Sequence, residues 1–160
     1  PRAADELKIP FVASGGMADG RSLVAALALG ADGINMGTRF MCTAESPIHE
    51  DIKQKIVDAT ELDTVLMFRP LRNTARVAKN SVSEEVVRIL DDGGAFPDVQ
   101  ALVSGARGKT VYEDGDPEAG VWSVGMVQGL INDIPTSGEL VERIMADAQA
   151  LLSKYSAAAV

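Results

Sequence analysis

Glycine turns divide residues 9–40 into alternating β-like and helical segments, in the stretch IPFVASGGMADGRSLVAALALGADGINMGTRF. The apolar run IPFV predicts a short buried strand, which ends at Gly15 and Gly16. The following RSLVAALAL carries apolar side chains at helical spacing and stops at a glycine. A second strand over 33–36 ends at Gly37. The stretch therefore predicts one βαβ unit with a glycine turn at the carboxyl end of both strands.

Two glycine turns at the same end of neighbouring parallel strands suit a phosphate group. Glycine lets the backbone approach an anion closely and adopt φ > 0, so that the N–H groups of Gly15 and Gly16 can point at phosphoryl oxygens. The positive end of the following helix and the hydroxyl of Thr38 add to such a site. The alternative is that the glycine pair only makes a tight turn from strand to helix.

The place of these turns favours one fold class. In (β/α)₈ barrels the phosphate site commonly lies in the loops after strands seven and eight. We therefore predict an α/β fold, the C-terminal portion of a TIM barrel. Because such a barrel takes about 250 residues and the chain has 160, we expect the chain to be the C-terminal part of a longer protein.

Several motifs resemble those of one enzyme family. The pair ASGGMADGR and NMGTRF, with RNTARVAKN, ALVSGARGKTVYEDGD and WSVGMVQGLI further along, resembles the nitronate monooxygenases, and among them a bacterial branch that includes NADH:quinone reductases. The resemblance implies a barrel that binds FMN. It implies that the FMN phosphate lies between Gly15 and Gly16 on one side and Asn35, Met36, Gly37 and Thr38 on the other.

The resemblance also implies an activity. It is that of an FMN-dependent oxidoreductase that oxidises alkyl nitronates with O₂, and the alternative on the same scaffold is an NAD(P)H:quinone reductase with NAD(P)H as co-substrate. A flavin-dependent enoyl-acyl carrier protein reductase, an inosine monophosphate dehydrogenase relative and a non-catalytic barrel fragment stay open. The family's catalytic histidine belongs to a loop before strand seven, so no catalytic residue is assigned to this chain.

Three segments are expected along the chain. Residues 1–46 form the last two strands of the FMN-binding barrel, and residues 47–134 form an inserted helical subdomain. Residues 135–160 form a C-terminal helix that returns to cover the second strand, because apolar side chains keep helical period over four turns.

Two stretches of the insert carry candidate binding residues. Arg69, Arg72 and Arg76 recur at intervals of three and four, which places them on one face if residues 71–79 are helical. They either meet the phosphates of NAD(P)H or a partner subunit, or they pair with carboxylates of the next helix, namely Glu84, Glu85 or Asp91.

The stretch WSVGMVQGLI predicts an apolar helix, in which Gly125 and Gly129 allow a flat ring or a backbone to approach closely. Its candidate substrate-pocket residues are Met126 and Gln128. The alternative for each of these side chains is helix packing.

Composition limits the remaining choices. The net charge of −8 argues against nucleic acid as a partner, and no apolar run is long enough to span a membrane. The one cysteine, Cys42, and the one histidine, His49, rule out a disulfide within the chain and a metal site built from several such ligands. We expect a cytoplasmic protein that meets a small-molecule substrate, a nitronate or a quinone, with a homodimer as an open alternative.

Overall fold

The computed structural model describes residues 1–158, so the end of the predicted C-terminal segment, residues 159 and 160, lies outside the described residues. The first elements are α1 (Arg2–Glu6), β1 (Val12–Ser14), α2 (Gly20–Ala28), β2 (Gly33–Asn35), α3 (Thr38–Met41) and α4 (Glu50–Val57). The chain continues through β3 (Thr64–Met67), β4 (Ala75–Ala78), α5 (Ser81–Asp91), α6 (Phe96–Val99), α7 (Gly105–Asp114), a 3₁₀ helix (Met126–Leu130) and α8 (Ser137–Ala158). None of the described helices is both long and apolar enough to cross a bilayer.

The βαβ unit is present as predicted. β1 and β2 pair in parallel, with Ser14 opposite Asn35 at their carboxyl ends. Between them α2 begins after Asp19, whose carboxylate accepts a hydrogen bond from the backbone N–H of Ser22. The chain leaves α2 through Gly30, which has φ +94°. Local capping thus fixes both ends of the helix that joins the two strands.

The first strand is shorter than predicted and is not buried. It begins at Val12, which is 60% exposed, and Ile9 before it is 70% exposed. β1 pairs with β2 on one side only within the described residues. The prediction of a buried strand is therefore wrong here, because its second edge and its outer face meet solvent.

The long helix α8 packs chiefly on α2 rather than on β2, where sequence analysis placed it. Gly20, at the start of α2, lies where the two helices approach most closely. A Cβ at this position would lie 2.7 Å from the backbone N of Ala148 and 2.8 Å from the backbone O of Ile144. The absence of a side chain at Gly20 therefore sets the distance between the two helices.

Substitution of Gly20 by valine should lower the free energy of unfolding by about 1–3 kcal/mol, since the new side chain meets backbone atoms that can move only with α8. Urea unfolding followed by circular dichroism measures the change. Gly138→Val is the matched control, because it adds the same side chain to α8 at a position where no described residue beyond its chain neighbours lies within 4 Å of the new Cβ. Equal midpoints for the Gly20 variant and the wild type would contradict the close packing of α2 on α8.

The insert contains an antiparallel hairpin in addition to its helices. β3 and β4 pair in antiparallel register, with Leu66 opposite Arg76, and α5 covers the hairpin. The prediction that a helix over 71–79 places the three arginines on one face is therefore wrong. Arg76 lies on β4, whereas Arg69 and Arg72 lie in the turn that joins the strands.

The predicted helix over 122–131 is also wrong in its first part. Trp122 and Ser123 have an extended backbone that pairs with strand β4. Ser123 forms an antiparallel bridge with Val77, and the backbone N of Ala78 donates to the backbone O of Trp122 at 3.0 Å. Only the following Met126–Leu130 segment is helical, as a 3₁₀ turn. This pairing brings Gly125 back to the first two strands.

Two buried clusters hold the insert together. One of them packs Trp122 against Cys42, Ile52 and Ile56. The other lies between the hairpin and α5 and α6, where Met67, Val77, Val86, Leu90 and Val99 meet. The hairpin contributes to both clusters and so ties the insert to the segment after β2.

Candidate functional site

A cavity of about 140 Å³ lies where the two parallel strands end. All six residues that sequence analysis assigned to phosphate binding line it. Two residues that precede or follow the first glycine turn and two from the insert complete the wall, so that the full set is Ser14, Gly15, Gly16, Met17, Asn35, Met36, Gly37, Thr38, Gly125 and Val127. The fold thus brings together the two glycine turns.

The first turn depends on the conformational freedom of glycine. Gly15 has φ +89° and Gly16 has φ +74°, and apart from chain neighbours no described residue would lie within 4 Å of a Cβ at either position. The glycines are therefore required by backbone conformation and not by crowding. The open space beside them leaves their main chain accessible from the cavity.

Side chains at the start of α2 already cap the backbone N–H groups of this helix end. Asp19 accepts from the N–H of Ser22 and also pairs with the exposed guanidinium of Arg21. Burial raises the pKa of Asp19, but the hydrogen bonds from Arg21 and Ser22 outweigh it, and the net pKa is lowered. An anionic cap thus occupies the helix end that sequence analysis expected to assist a phosphate.

Thr38 is oriented by a residue from the insert. The backbone N–H of Gly125 donates to Oγ1 of Thr38 at 3.0 Å. Because this oxygen accepts from Gly125, the hydroxyl proton of Thr38 is left to donate elsewhere. A Cβ on Gly125 would lie 3.4 Å from the same oxygen, so the approach is close. The sequence predicted a close approach at Gly125, but within a helix.

Asn35 is held by the strand beside it. Its Nδ2 donates to Oγ of Ser14 at 3.3 Å, across the ladder that pairs the two residues. This contact leaves the amide oxygen of Asn35 as an acceptor. Ser14 was not predicted as a site residue. Its position at the end of a strand, directly before the glycine pair, is the sequence feature that would have indicated it.

The two proposed substrate-pocket residues do not line this cavity. Met126 is 46% exposed and lies between two residues that do line it. Gln128 is buried, and its Nε2 donates to the backbone O of Thr60 at 2.7 Å. Gln128 therefore packs inside the insert in this structure, and the substrate roles of Met126 and Gln128 stay predictions.

Arg39, on α3 directly after the second glycine turn, is a buried residue that the sequence did not predict. It is only 4% exposed, and its Nη1 lies 3.0 Å from Oδ1 of Asp133. Its Nη2 donates to the backbone oxygens of Asp133 and Cys42, both at 2.8 Å, while its Nε has no partner within the described residues. Arg39 thereby connects α3 to the segment that leads into α8.

Cys42 and His49 have structural positions. Cys42 is fully buried, and this burial raises the pKa of its thiol to about 11, so that the thiolate is scarce at neutral pH. His49 precedes α4, and its Nδ1 accepts from the N–H of Asp51. Neither side chain lines the cavity between the glycine turns.

Comparison with known proteins assigns the family. The family model for nitronate monooxygenase matches residues 1–147. The chain belongs to the nitronate monooxygenase family. A probable nitronate monooxygenase from Bacillus subtilis (strain 168) is 34% identical over 134 residues, which cover 84% of this chain and 39% of that protein.

Two further proteins that resemble this nitronate monooxygenase family member carry names of other enzymes. (3aS,4S,5R,7aS)-5-hydroxy-7a-methyl-1-oxo-octahydro-1H-indene-4-carboxyl-CoA dehydrogenase from Rhodococcus jostii (strain RHA1) is 28% identical, over 92% of this chain and 52% of its own length. The structure of FabK from Thermotoga maritima superimposes with a TM-score of 0.90 and 31% identity, over 98% of this chain and 49% of FabK.

These matches confirm the fold class, which is a partial α/β barrel. The chain spans about half the length of FabK and of the Rhodococcus relative, and less of the Bacillus one.

Proposed function

We propose that this chain holds the phosphate of FMN between its two glycine turns, as part of an FMN-dependent oxidoreductase that oxidises alkyl nitronates with O₂. The observation that carries the proposal is one cavity lined by Gly15, Gly16 and Thr38. Because Oγ1 of Thr38 accepts from the backbone N–H of Gly125, the hydroxyl proton of Thr38 can donate to a phosphate. Membership in the nitronate monooxygenase family and the Bacillus relative's name support the reaction.

The cavity fits the phosphate end of this cofactor. Its volume of about 140 Å³ is below the roughly 300–1,000 Å³ of pockets that enclose a whole ligand. We assign phosphate contacts to the backbone N–H groups of Gly15, Gly16 and Gly37 and to the backbone and hydroxyl of Thr38. Bound FMN supplies the redox chemistry, while this chain supplies the anchor that positions it.

The proposal assigns no base to this chain. His49 accepts a hydrogen bond at the start of α4, and the buried thiol of Cys42 has a raised pKa. A carbon acid such as a nitroalkane needs a group that removes its proton. The family resemblance assigns that role to a histidine in a loop before the first of the two parallel strands.

A second candidate is oxidation or reduction of an acyl thioester. It is favoured by the Rhodococcus relative, a carboxyl-CoA dehydrogenase that matches 92% of this chain. The NAD(P)H:quinone reductase and the enoyl-acyl carrier protein reductase remain predictions from the sequence resemblance.

Comparison of FMN with riboflavin tests the anchor directly, because the two differ only in the phosphate. Quenching of flavin fluorescence should show FMN binding at least about 100-fold more tightly than riboflavin, as expected for two or more charge-assisted hydrogen bonds. Equal affinities would overturn the phosphate site. Anaerobic bleaching of the bound flavin by a nitronate, and not by NADH, then separates the two oxidoreductase activities.

Thr38→Val should weaken FMN binding by roughly 10- to 150-fold, since a hydrogen bond to a charged group contributes about 1.5–3 kcal/mol. Thr38→Ser keeps the hydroxyl and should stay within a few-fold of wild type. Riboflavin affinity, measured in the same titration, should not change in either variant. An equal loss for FMN and riboflavin would show that the valine distorts the cavity instead of removing a phosphate contact.

A further inference from the structure

A second groove, away from the glycine turns, lies between the β3–β4 hairpin and α5. Its volume is about 420 Å³, within the range of small-molecule pockets. Phe68, Val87 and Leu90 give it apolar surface, and Arg69 and Arg76 line it with positive charge. The groove therefore combines an apolar surface with two guanidinium groups.

These arginines have no carboxylate partners in the described part of the chain. None of the guanidinium groups of Arg69, Arg72 and Arg76 lies within 4 Å of a carboxylate there, although the protein carries a net charge of −8. Three other acidic residues of α5 and its C-terminus are engaged elsewhere, in the pairs Lys79–Glu84, Arg88–Glu85 and Arg88–Asp92. Pairing with the next helix, the alternative left open by the sequence, is thus absent for Glu84 and Glu85.

Arg76 is held in place before any ligand arrives. Its Nη1 donates to Oγ1 of Thr64 at 2.7 Å, across the two strands of the hairpin. An arginine that is already ordered loses less conformational freedom when it pairs with an anion. The turn next to it is strained as well, because Phe68 has φ +63° and Arg72 has φ +55°. Such backbone outliers occur often at ligand sites.

The third wall of the groove carries a carboxylate, Asp91. Two cations alone suit inorganic phosphate, but such a small anion leaves most of the groove of about 420 Å³ empty and gives the carboxylate no partner. A ligand with its phosphate at one end and hydroxyl or amino groups at the other satisfies both charges. A flat base between them can cover the apolar surface.

We propose that this groove binds an adenosine phosphate, with Arg69 and Arg76 pairing with phosphate oxygens and Asp91 accepting hydrogen bonds from the ribose or the adenine. Nicotinamide dinucleotides and coenzyme A both carry this moiety. β4 joins the groove to the glycine turns, since Val77 bridges Ser123 and Gly125 comes two residues later. Two residues and one strand spacing place Gly125 at most about 12 Å from Val77, the strand neighbour of the groove residue Arg76.

Isothermal titration of the purified protein with ADP and with adenosine tests the site. ADP should bind at least about tenfold more tightly than adenosine, because the phosphates carry the interaction with the two arginines. Absence of ADP binding, or equal affinity for adenosine, would overturn the proposal. A preference for 2′,5′-ADP assigns the site to a phosphorylated nicotinamide dinucleotide, a preference for 3′,5′-ADP assigns it to coenzyme A, and a preference for ADP assigns it to the unphosphorylated dinucleotide.

Charge-neutralising variants locate the contact. Arg69→Gln and Arg76→Gln should each weaken ADP binding about tenfold, and Arg69 is exposed, so its variant is expected to fold normally. Arg72→Gln removes the same charge from the same turn, outside the groove lining, and should stay within twofold of wild type. An equal loss in all three variants would show general attraction to a basic turn and would overturn the assignment.

The result is independent of the FMN site. Thr38→Val lies at the glycine cavity and should leave ADP affinity unchanged. Absence of FMN binding in a protein that binds ADP would therefore contradict only the proposed function. Absence of ADP binding in a protein that binds FMN would contradict only the proposal for the groove.

Discussion

Replacement of Asp133 by alanine is expected to lower the free energy of unfolding by about 3 kcal/mol. The substitution leaves the guanidinium of Arg39, which is 4% exposed, without the carboxylate 3.0 Å from its Nη1. Removing one partner of a buried ion pair costs roughly 3–5 kcal/mol, and the lower end applies because 37% of the Asp133 side chain is exposed. Urea unfolding at pH 7 measures the change.

Two variants separate the charge from the packing. Asp133→Asn keeps an oxygen for Arg39 and should lose less than Asp133→Ala. Arg143→Gln removes the exposed second partner of Asp133 and should cost less than about 1 kcal/mol, as surface pairs do. Unchanged unfolding of Asp133→Ala would contradict the buried contact between α3 and the segment before α8.

The same pair predicts a pH dependence. Burial raises the pKa of Asp133, but the hydrogen bonds and charges of Arg143 and Arg39 outweigh it, so the net pKa lies below the ordinary value of 3.8. A carboxyl with a lowered folded-state pKa stabilises the protein above its unfolded-state pKa, and this contribution is lost as the pH falls through the folded-state value. The stability difference between wild type and Asp133→Asn should therefore shrink below about pH 4.

The sequence was sufficient for the βαβ unit because its signals are local. Gly15, Gly16 and Gly30 mark the turns within a few residues of the elements that they end, and each has φ > 0 in the structure. The six predicted cavity residues then meet because parallel pairing of β1 with β2 brings the two strand ends together. Whether these residues bind FMN stays a prediction.

The insert was harder to predict because distant pairing overrides its local patterns. The spacing of Arg69, Arg72 and Arg76 is that of a helix, but it is a pattern of charges and not of buried apolar residues. Short apolar runs such as 122–131 fit a strand or a helix equally well. The hairpin decides between them, because β4 binds the extended Trp122 and Ser123.

The two long-range contacts that support the cavity have no local signal. Arg39 and Asp133 are 94 residues apart, and Thr38 and Gly125 are 87 residues apart. A single sequence shows neither pairing, and an arginine after a glycine turn has the pattern of a surface residue. Both contacts join the second glycine turn and α3 to the later part of the insert, beyond the hairpin, so the insert helps to shape the site.

The double substitution Gly15→Ala and Gly16→Ala should weaken FMN binding by roughly 30- to 1,000-fold. Each alanine is strained by about 1–2 kcal/mol at positive φ, and the turn relieves this strain by rotating its peptide groups away from the phosphate. A steric clash is not the cause, because no atom of residues 1–158 beyond the glycine and its chain neighbours lies within 4 Å of either new Cβ. Fluorescence titration with FMN and riboflavin measures the effect, and riboflavin affinity should hardly change.

Gly37→Ala is the matched control for this double variant. It adds the same methyl group to the same cavity, but Gly37 has φ −94° and no neighbour within 4 Å, so alanine is accepted without backbone strain. FMN affinity should stay within about tenfold of wild type. A loss as large as that of the double variant would show that a methyl group in the cavity blocks the phosphate by itself, and that the positive φ of the first glycine turn is not what the anion requires.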